Sequence, residues 1–171
     1  MMKDKLLSLQ VIIDKVVEWT GIIFCFFAAV LCILVVFGVL MRMLGTPTIW
    51  NFEVCLMFFG AHFFLLGAYG LKHKAHAAID IFTARASRKT NSILQLFCYI
   101  ILFFPFAIGI FFMSVPFAMD SWLVFETSWS VWGQPLYIVK SIIPIGMFLL
   151  IIQGIAEVIK IIYSTNEEGI E

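Results

Sequence analysis

Charge is what this sequence has least of. Only 13% of its 171 residues are Asp, Glu, Lys or Arg, against roughly a quarter in a soluble domain. From Thr20 to Met41 there is no acid and no Lys, Arg or His. That gap excludes a small proton-coupled exporter of the kind that keeps a carboxylate in its first span. Basic and acidic residues balance at 11 each, so nothing in the net charge favours nucleic acid as a partner. Cysteine is sparse and unpaired in sequence. Cys25, Cys32, Cys55 and Cys98 all lie in apolar stretches with no C-x-x-C, which reads as packing thiols rather than redox or metal chemistry. There is no Gly-rich phosphate loop, no H-E-x-x-H and no serine flanked by plausible partners, so hydrolytic and phosphoryl-transfer constellations are missing. No catalytic residue, cofactor site or metal site is expected. His62 is the only ionisable residue near the middle of a span. A bis-histidine haem site needs a second, and His73 and His76 stand at a basic edge. His62 therefore reads as a hydrogen-bonded packing histidine. The N-terminus carries Asp4, Asp14 and Glu18 with no small-residue cleavage site after a short apolar core, which argues against a secretory signal. No repeat or low-complexity tract occurs.

What the chain has in excess is apolar length. Hydrophobic residues make up 63% of it. They gather into four runs, about 20–41, 52–71, 93–119 and 136–163, each long enough for a transmembrane helix of about 20 residues. The expected fold is all-α and integral to the membrane: one domain over 1–171, four spans, and short interfacial amphipathic helices. Lys72, Lys74, Arg85, Arg88 and Lys89 fall between spans two and three, and Lys3, Lys5 and Lys15 precede span one. The first outer loop holds only Arg42, and the third connection holds no Lys or Arg before Lys140. The positive-inside rule places both termini and the second connection in the cytoplasm. All five tryptophans (Trp19, Trp50, Trp122, Trp129 and Trp132) fall at span ends or in the third connection, as an aromatic belt requires.

Between and within the spans the pattern is finer. Leu6, Leu9, Ile13 and Val16 repeat at helical spacing, so residues 1–19 read either as an interfacial amphipathic segment or as an early start of span one. Span one carries small residues at Gly21, Cys25, Ala28 and Cys32, and span two at Gly60, Ala61, Gly67 and Ala68. Such faces let helices approach closely in lipid. Thr46 is a fair N-cap for span two, with Pro47 in its first turn and Glu53 at the positive end of the helix dipole. The second connection, KHKAHAAIDIFTARASRKT, has a short apolar face of Ile79, Phe82 and Ala86. It reads as a surface helix presenting Arg85, Arg88 and Lys89 to water or lipid phosphates, or as a solvated basic loop. Pro105 and Pro116 each remove a backbone donor from span three. In the third connection, Trp122, Phe125, Trp129 and Trp132 fit an interfacial helix or a re-entrant turn. Span four places Gly146, Gln153, Glu157 and Lys160 on one face. Gln153, the one strong amide donor in the membrane, is expected to face protein, and Glu157 to pair with Lys160.

An edge constellation remains. Arg42 closes span one, Trp50 and Glu53 open span two, and His76 and Asp80 follow it four residues apart. A hairpin brings Arg42 and Glu53 to one outer face, where an ion pair is feasible. The second pair shares a helix face. These residues either fix helix ends or dock a partner or lipid headgroups. The run R-M-L-G-T-P-T-I-W-N-F-E, then Gly60-Ala61, then H-A-A-I-D resembles the small membrane subunit (DctQ-like) of tripartite ATP-independent periplasmic, or TRAP, transporters. In that family an Arg ends helix one, a Trp and a Glu begin helix two, and an H-x-x-x-D follows. Here those are Arg42, Trp50, Glu53, His76 and Asp80.

The resemblance implies a bacterial inner-membrane protein that forms a heterodimer with a much larger membrane subunit holding the sodium and substrate sites. A periplasmic binding protein delivers the solute, an organic anion of the carboxylate or sulfonate class. The small subunit enlarges a fixed, non-catalytic scaffold against which the transport domain slides. The alternative is a self-sufficient homo-oligomeric transporter or channel, with His62, Gln153 and Glu157 lining a path.

Overall fold

The computed structural model describes the backbone of residues 2–73 and 88–167, and side chains at 8, 10–73 and 90–163. His76, Asp80 and Arg85, with the apolar face of Ile79, Phe82 and Ala86, lie outside the described residues. Arg88 and Lys89 open a helix, but their side chains are not among those described.

Apolar runs in lipid become helices because a helix satisfies every backbone polar group within itself. Helix α1 spans Met2–Met43, α2 Ile49–Lys72 and α3 Arg88–Cys98. A wide π-turn over Tyr99–Phe103 joins α3 to α4, Phe104–Leu123. Helix α5 runs Leu136–Glu167. Among the described residues, four helical segments are long and apolar enough to cross a membrane: Gln10–Met43, Ile49–Lys72, Thr90–Leu123 and Leu136–Tyr163.

Helix α1 passes position 19 without a break, so the amphipathic segment is continuous with the first span. Its 42 residues extend about 63 Å at 1.5 Å each, twice the hydrocarbon thickness. Helix α1 ends in a Schellman motif. Gly45 is left-handed (φ 75°), its N–H donates to the Arg42 carbonyl at 3.2 Å, and the Thr46 N–H donates to the Met41 carbonyl at 3.0 Å. Glycine adopts that conformation without steric cost. Thr46 is thus spent on closing α1. Helix α2 starts later than expected, at Ile49 with Thr48 as N-cap, and Glu53 falls in its second turn, past the reach of the helix-end charge.

The π-turn answers Pro105. Proline has no N–H for the carbonyl four residues back and its ring crowds that carbonyl. The helix widens ahead of it, with the Phe104 N–H donating to Tyr99. Phe103 then lies over Gly154 of α5, where an added Cβ would come within 2.3 Å of its ring.

Helix α5 is the central element, packed chiefly against α4 and α2 and more lightly against α1 and α3, while α1 packs chiefly on α2. Two further glycines mark close approaches between helices. Gly146 faces the Phe64 backbone, whose carbonyl oxygen would lie 2.6 Å from an added Cβ, and Gly21 receives the Tyr69 ring, 2.0 Å from such an atom. Ala68, Ala107 and Ala156 are fully enclosed at 0% exposure. Close packing of small residues is the main source of association in lipid, where burial of apolar surface gains little.

The third connection contains no helix. Residues 124–135 form a loop closed by an antiparallel bridge between Thr127 and Pro135. Helix α4 ends before it in a second Schellman pattern, with the Phe125 and Glu126 N–H groups on the Trp122 and Ser121 carbonyls. Phe125 takes the left-handed position (φ 46°) that favours glycine, and its ring packs against Trp122 and Tyr137. Of the two forms expected, an interfacial helix or a re-entrant turn, the helix does not form, because α4 consumes Trp122 and the Gly133 turn (φ 67°) breaks the remaining periodicity.

Candidate functional site

Polar groups collect at the two ends of the bundle. At the end formed by the first half of α1, the end of α2 and the last turns of α5, seven side chains form one latch. Gln153, Glu157 and Lys160 recur at four and three residues on α5, one face of a helix. Asp14 and Glu18 recur at four on α1. Gln153 is wholly buried, and its amide donates to Asp14 Oδ1 at 3.0 Å and to Glu157 Oε1 at 3.0 Å. Lys160 Nζ bridges the same two carboxylates, 3.1 Å from Asp14. Lys72 of α2 donates to the Asp14 carbonyl at 2.9 Å and pairs with Glu18. His73 stands 3.2 Å from the same Glu18 carboxylate and packs on Tyr69. Three carboxylates thus face two lysines and a histidine, and charge-assisted bonds tie α1, α2 and α5 together, from the buried Gln153–Glu157 side to the solvent-open Glu18–His73 side.

The expected Glu157–Lys160 pair forms, and Gln153 faces protein. The partners on α1 and α2 were not foreseen. Their signal was present: the hairpin places Asp14 and Glu18 opposite Lys72, just as Gly21 meets Tyr69.

His62 lies deeper. Its Nδ1 is 3.2 Å from the Phe24 carbonyl oxygen, so with the proton on Nδ1 it donates from α2 to α1. This is the packing role expected for it.

The opposite end carries the edge constellation. Trp50 packs on Phe37 of α1 with ring centroids 5.9 Å apart. Arg42 and Glu53 are not brought together. Arg42 is exposed beyond the α1–α2 contact, whereas Glu53 is buried, its Oε2 without a hydrogen bond. The antiparallel register explains it. Gly38 of α1 meets Asn51, so Arg42, one turn further on, stands at the level of the 44–48 connection. Asn51, also buried, was not singled out in the sequence; its contact with Gly38 is what covers it.

The small-residue stripes divide. Gly21 packs inside the chain under Tyr69, and an added Cβ at Gly67 would stand 3.7 Å from Leu150. Ala28 is half-buried, Cys25 and Cys32 are exposed, and Gly60 has open space above it.

The 124–135 loop is clamped beside this end. Glu126 pairs with Lys140 of α5, and the Lys140 ammonium also lies 4.1 Å from the centre of the Phe117 ring, a cation–π contact. Trp122 Nε1 donates to Ser141 Oγ at 2.7 Å. Lys140 and Lys160 are 20 residues apart, about 30 Å along α5, which matches the hydrocarbon thickness. The Lys140 ammonium holds the Glu126 carboxyl below its ordinary value. A carboxyl lowered by folding stabilises the fold above its ordinary range and loses that contribution as pH falls through the lowered value. Below about pH 4 the loop should loosen, read as faster amide exchange over 124–135. Glu126→Gln should show the loosened loop at neutral pH and no further acid response.

A family model for the DctQ component of tripartite ATP-independent periplasmic transporters matches residues 31–163, well over half of the chain and inclusive of both the edge constellation and most of α5. No curated protein matches the chain.

Proposed function

We propose a function from the premise that this match supplies: the chain belongs to the DctQ family, and is a small membrane component of a TRAP transporter. In our reading it is a non-catalytic scaffold. It binds and steadies the large membrane subunit, which carries the sodium and substrate sites, during uptake of an organic anion of the carboxylate or sulfonate class. The latch end faces the cytoplasm of a bacterial inner membrane with both termini, and the 124–135 loop faces the periplasm and the binding protein.

One observation carries this reading. The charged groups of the latch are consumed in pairs with one another, and His62 is bound to an α1 carbonyl. Meanwhile long apolar faces stay uncovered: the α1 span contributes no buried residue to its most apolar window, and the α3–α4 span only 6%. Such a bundle suits packing against lipid and another membrane protein better than conducting a solute. The basic residues near the latch, Lys72 and Lys15 among them, support a cytoplasmic placement. Arg42 and Trp50 sit where a partner can reach them, and Arg42→Ala is expected to lower uptake while the chain still inserts.

Reconstitution tests the reading. In proteoliposomes with an inward sodium gradient, this chain alone should give no uptake of a carboxylate or sulfonate. Uptake should appear when the large subunit and the loaded binding protein are supplied together with it. Sodium-driven flux through this chain alone would replace the scaffold with the self-sufficient transporter.

A further inference from the structure

Glu53 is the one charged side chain, among the described residues, that is buried without an ion pair or hydrogen bond. It is 9% exposed, and its Oε2 has no partner. The other buried carboxylate, Glu157, is held by Gln153 and Lys160. Stranding an ionised carboxylate in an apolar setting is strongly unfavourable. No cation among the described residues relieves it: Arg42 lies beyond its level, and Lys140 is engaged by Glu126.

The surface of α2 along the line of Glu53 is only partly covered. Positions 53, 60 and 67 recur every seven residues, so they lie along one line of α2. That line is packed at Gly67, against Leu150, and open at Gly60, where an added Cβ would meet nothing within 4 Å. Gly60 is about 10 Å below Glu53 along the helix. Beside the line, Phe52 is 69% exposed and presents an apolar flank. A buried anion, a gap in the helix surface two turns below it and an apolar margin together suit a helix that carries one positive charge.

We propose that Glu53 receives the ammonium or guanidinium group of a lysine or arginine on a transmembrane helix of the large subunit, and that this helix approaches α2 at Gly60. The proposal rests on the small-subunit reading above and gives that interface its charged anchor. It assigns Glu53 to a partner rather than to Arg42.

The test is copurification of the tagged chain from its native membrane in mild detergent. With wild-type chain, a large polytopic protein should be recovered. With Glu53→Gln, which keeps shape and removes charge, recovery should fall by about tenfold or more, the loss expected for a charge-assisted bond in a dry site, while the isolated chain melts as wild type. Normal recovery with Glu53→Gln would overturn the proposal, because a carboxyl that is protonated or merely internal tolerates the amide. If that variant also melts early, wild-type Glu53 with a photoreactive residue in place of Phe52 decides. Cross-linking to a segment of the large protein that contains Lys or Arg supports the anchor, and cross-linking to lipid alone overturns it. Failure of the wild-type chain to recover any large membrane protein would instead sink the small-subunit reading itself.

Discussion

Gly146→Leu should be among the most damaging single substitutions in this protein. An added Cβ at Gly146 would stand 2.6 Å from the Phe64 carbonyl oxygen and 2.8 Å from its carbonyl carbon. Both obstacles are backbone, so no side-chain rotation clears them, and α2 must move away from α5. Overpacking of a tight contact costs about 1–3 kcal/mol, and leucine belongs at the upper end. In lipid the loss is felt fully, because close approach and dispersion are what hold the helices together. For a chain of this size about 3 kcal/mol corresponds to roughly 6–12 °C in melting temperature. Gly109→Ala is the matched control. Nothing lies within 4 Å of its added Cβ, and alanine is the better helix former, so melting should be unchanged or slightly raised. Equal melting of Gly146→Leu and wild type in detergent would show that α2 and α5 do not meet at this point.

The second large effect is expected at the latch. Gln153→Leu conserves volume and deletes both amide donors, leaving Asp14 and Glu157 to share Lys160 alone. Hydrogen bonds to charged groups contribute about 1.5–3 kcal/mol each. Asp14 is partly open to solvent, which screens its share, so a net loss of about 2 kcal/mol is the expectation. Asp14→Ala should cost a similar amount by releasing both Gln153 and Lys160. The two changes act on one network, so the double variant should lose clearly less than the sum of the singles. Strict additivity in thermal melts would mean that the α1–α5 bond is not made.

The architecture was legible because each span is written as an uninterrupted apolar run. Span four was expected over 136–163, and helix α5 runs Leu136–Glu167. Helix α2 opens at Ile49 rather than behind a Thr46 cap, because Thr46 closes α1 instead. Span three was expected over 93–119; the helix is already present at Arg88 and ends at Leu123, since α4 continues through Trp122. Within one helix, periodicity was enough to put Gln153, Glu157 and Lys160 on a shared face and to pair the last two. Contacts between helices were harder to read. Asp14 reaches Gln153 and Lys160 across 139 and 146 residues, and only the register of α1 against α2 and α5 brings them together. The same register separates Arg42 from Glu53, although both belong to the outer end. The π-turn ahead of Pro105 and the bridge-closed loop depend on backbone geometry, which hydrophobic pattern does not encode. Cys25 and Cys32 illustrate a further limit: a small residue in a span allows close approach, but the chain itself does not state whether a neighbour takes it up.

The central claim is that this bundle serves as a scaffold bound to a larger membrane protein, and one measurement meets it directly. The tagged chain should be purified from its native membrane in mild detergent, with the mass of the complex and the identity of what accompanies it read by mass spectrometry. Our account expects a single large polytopic membrane protein in near one-to-one ratio. Recovery of this chain alone, as a stable homo-oligomer, would contradict it.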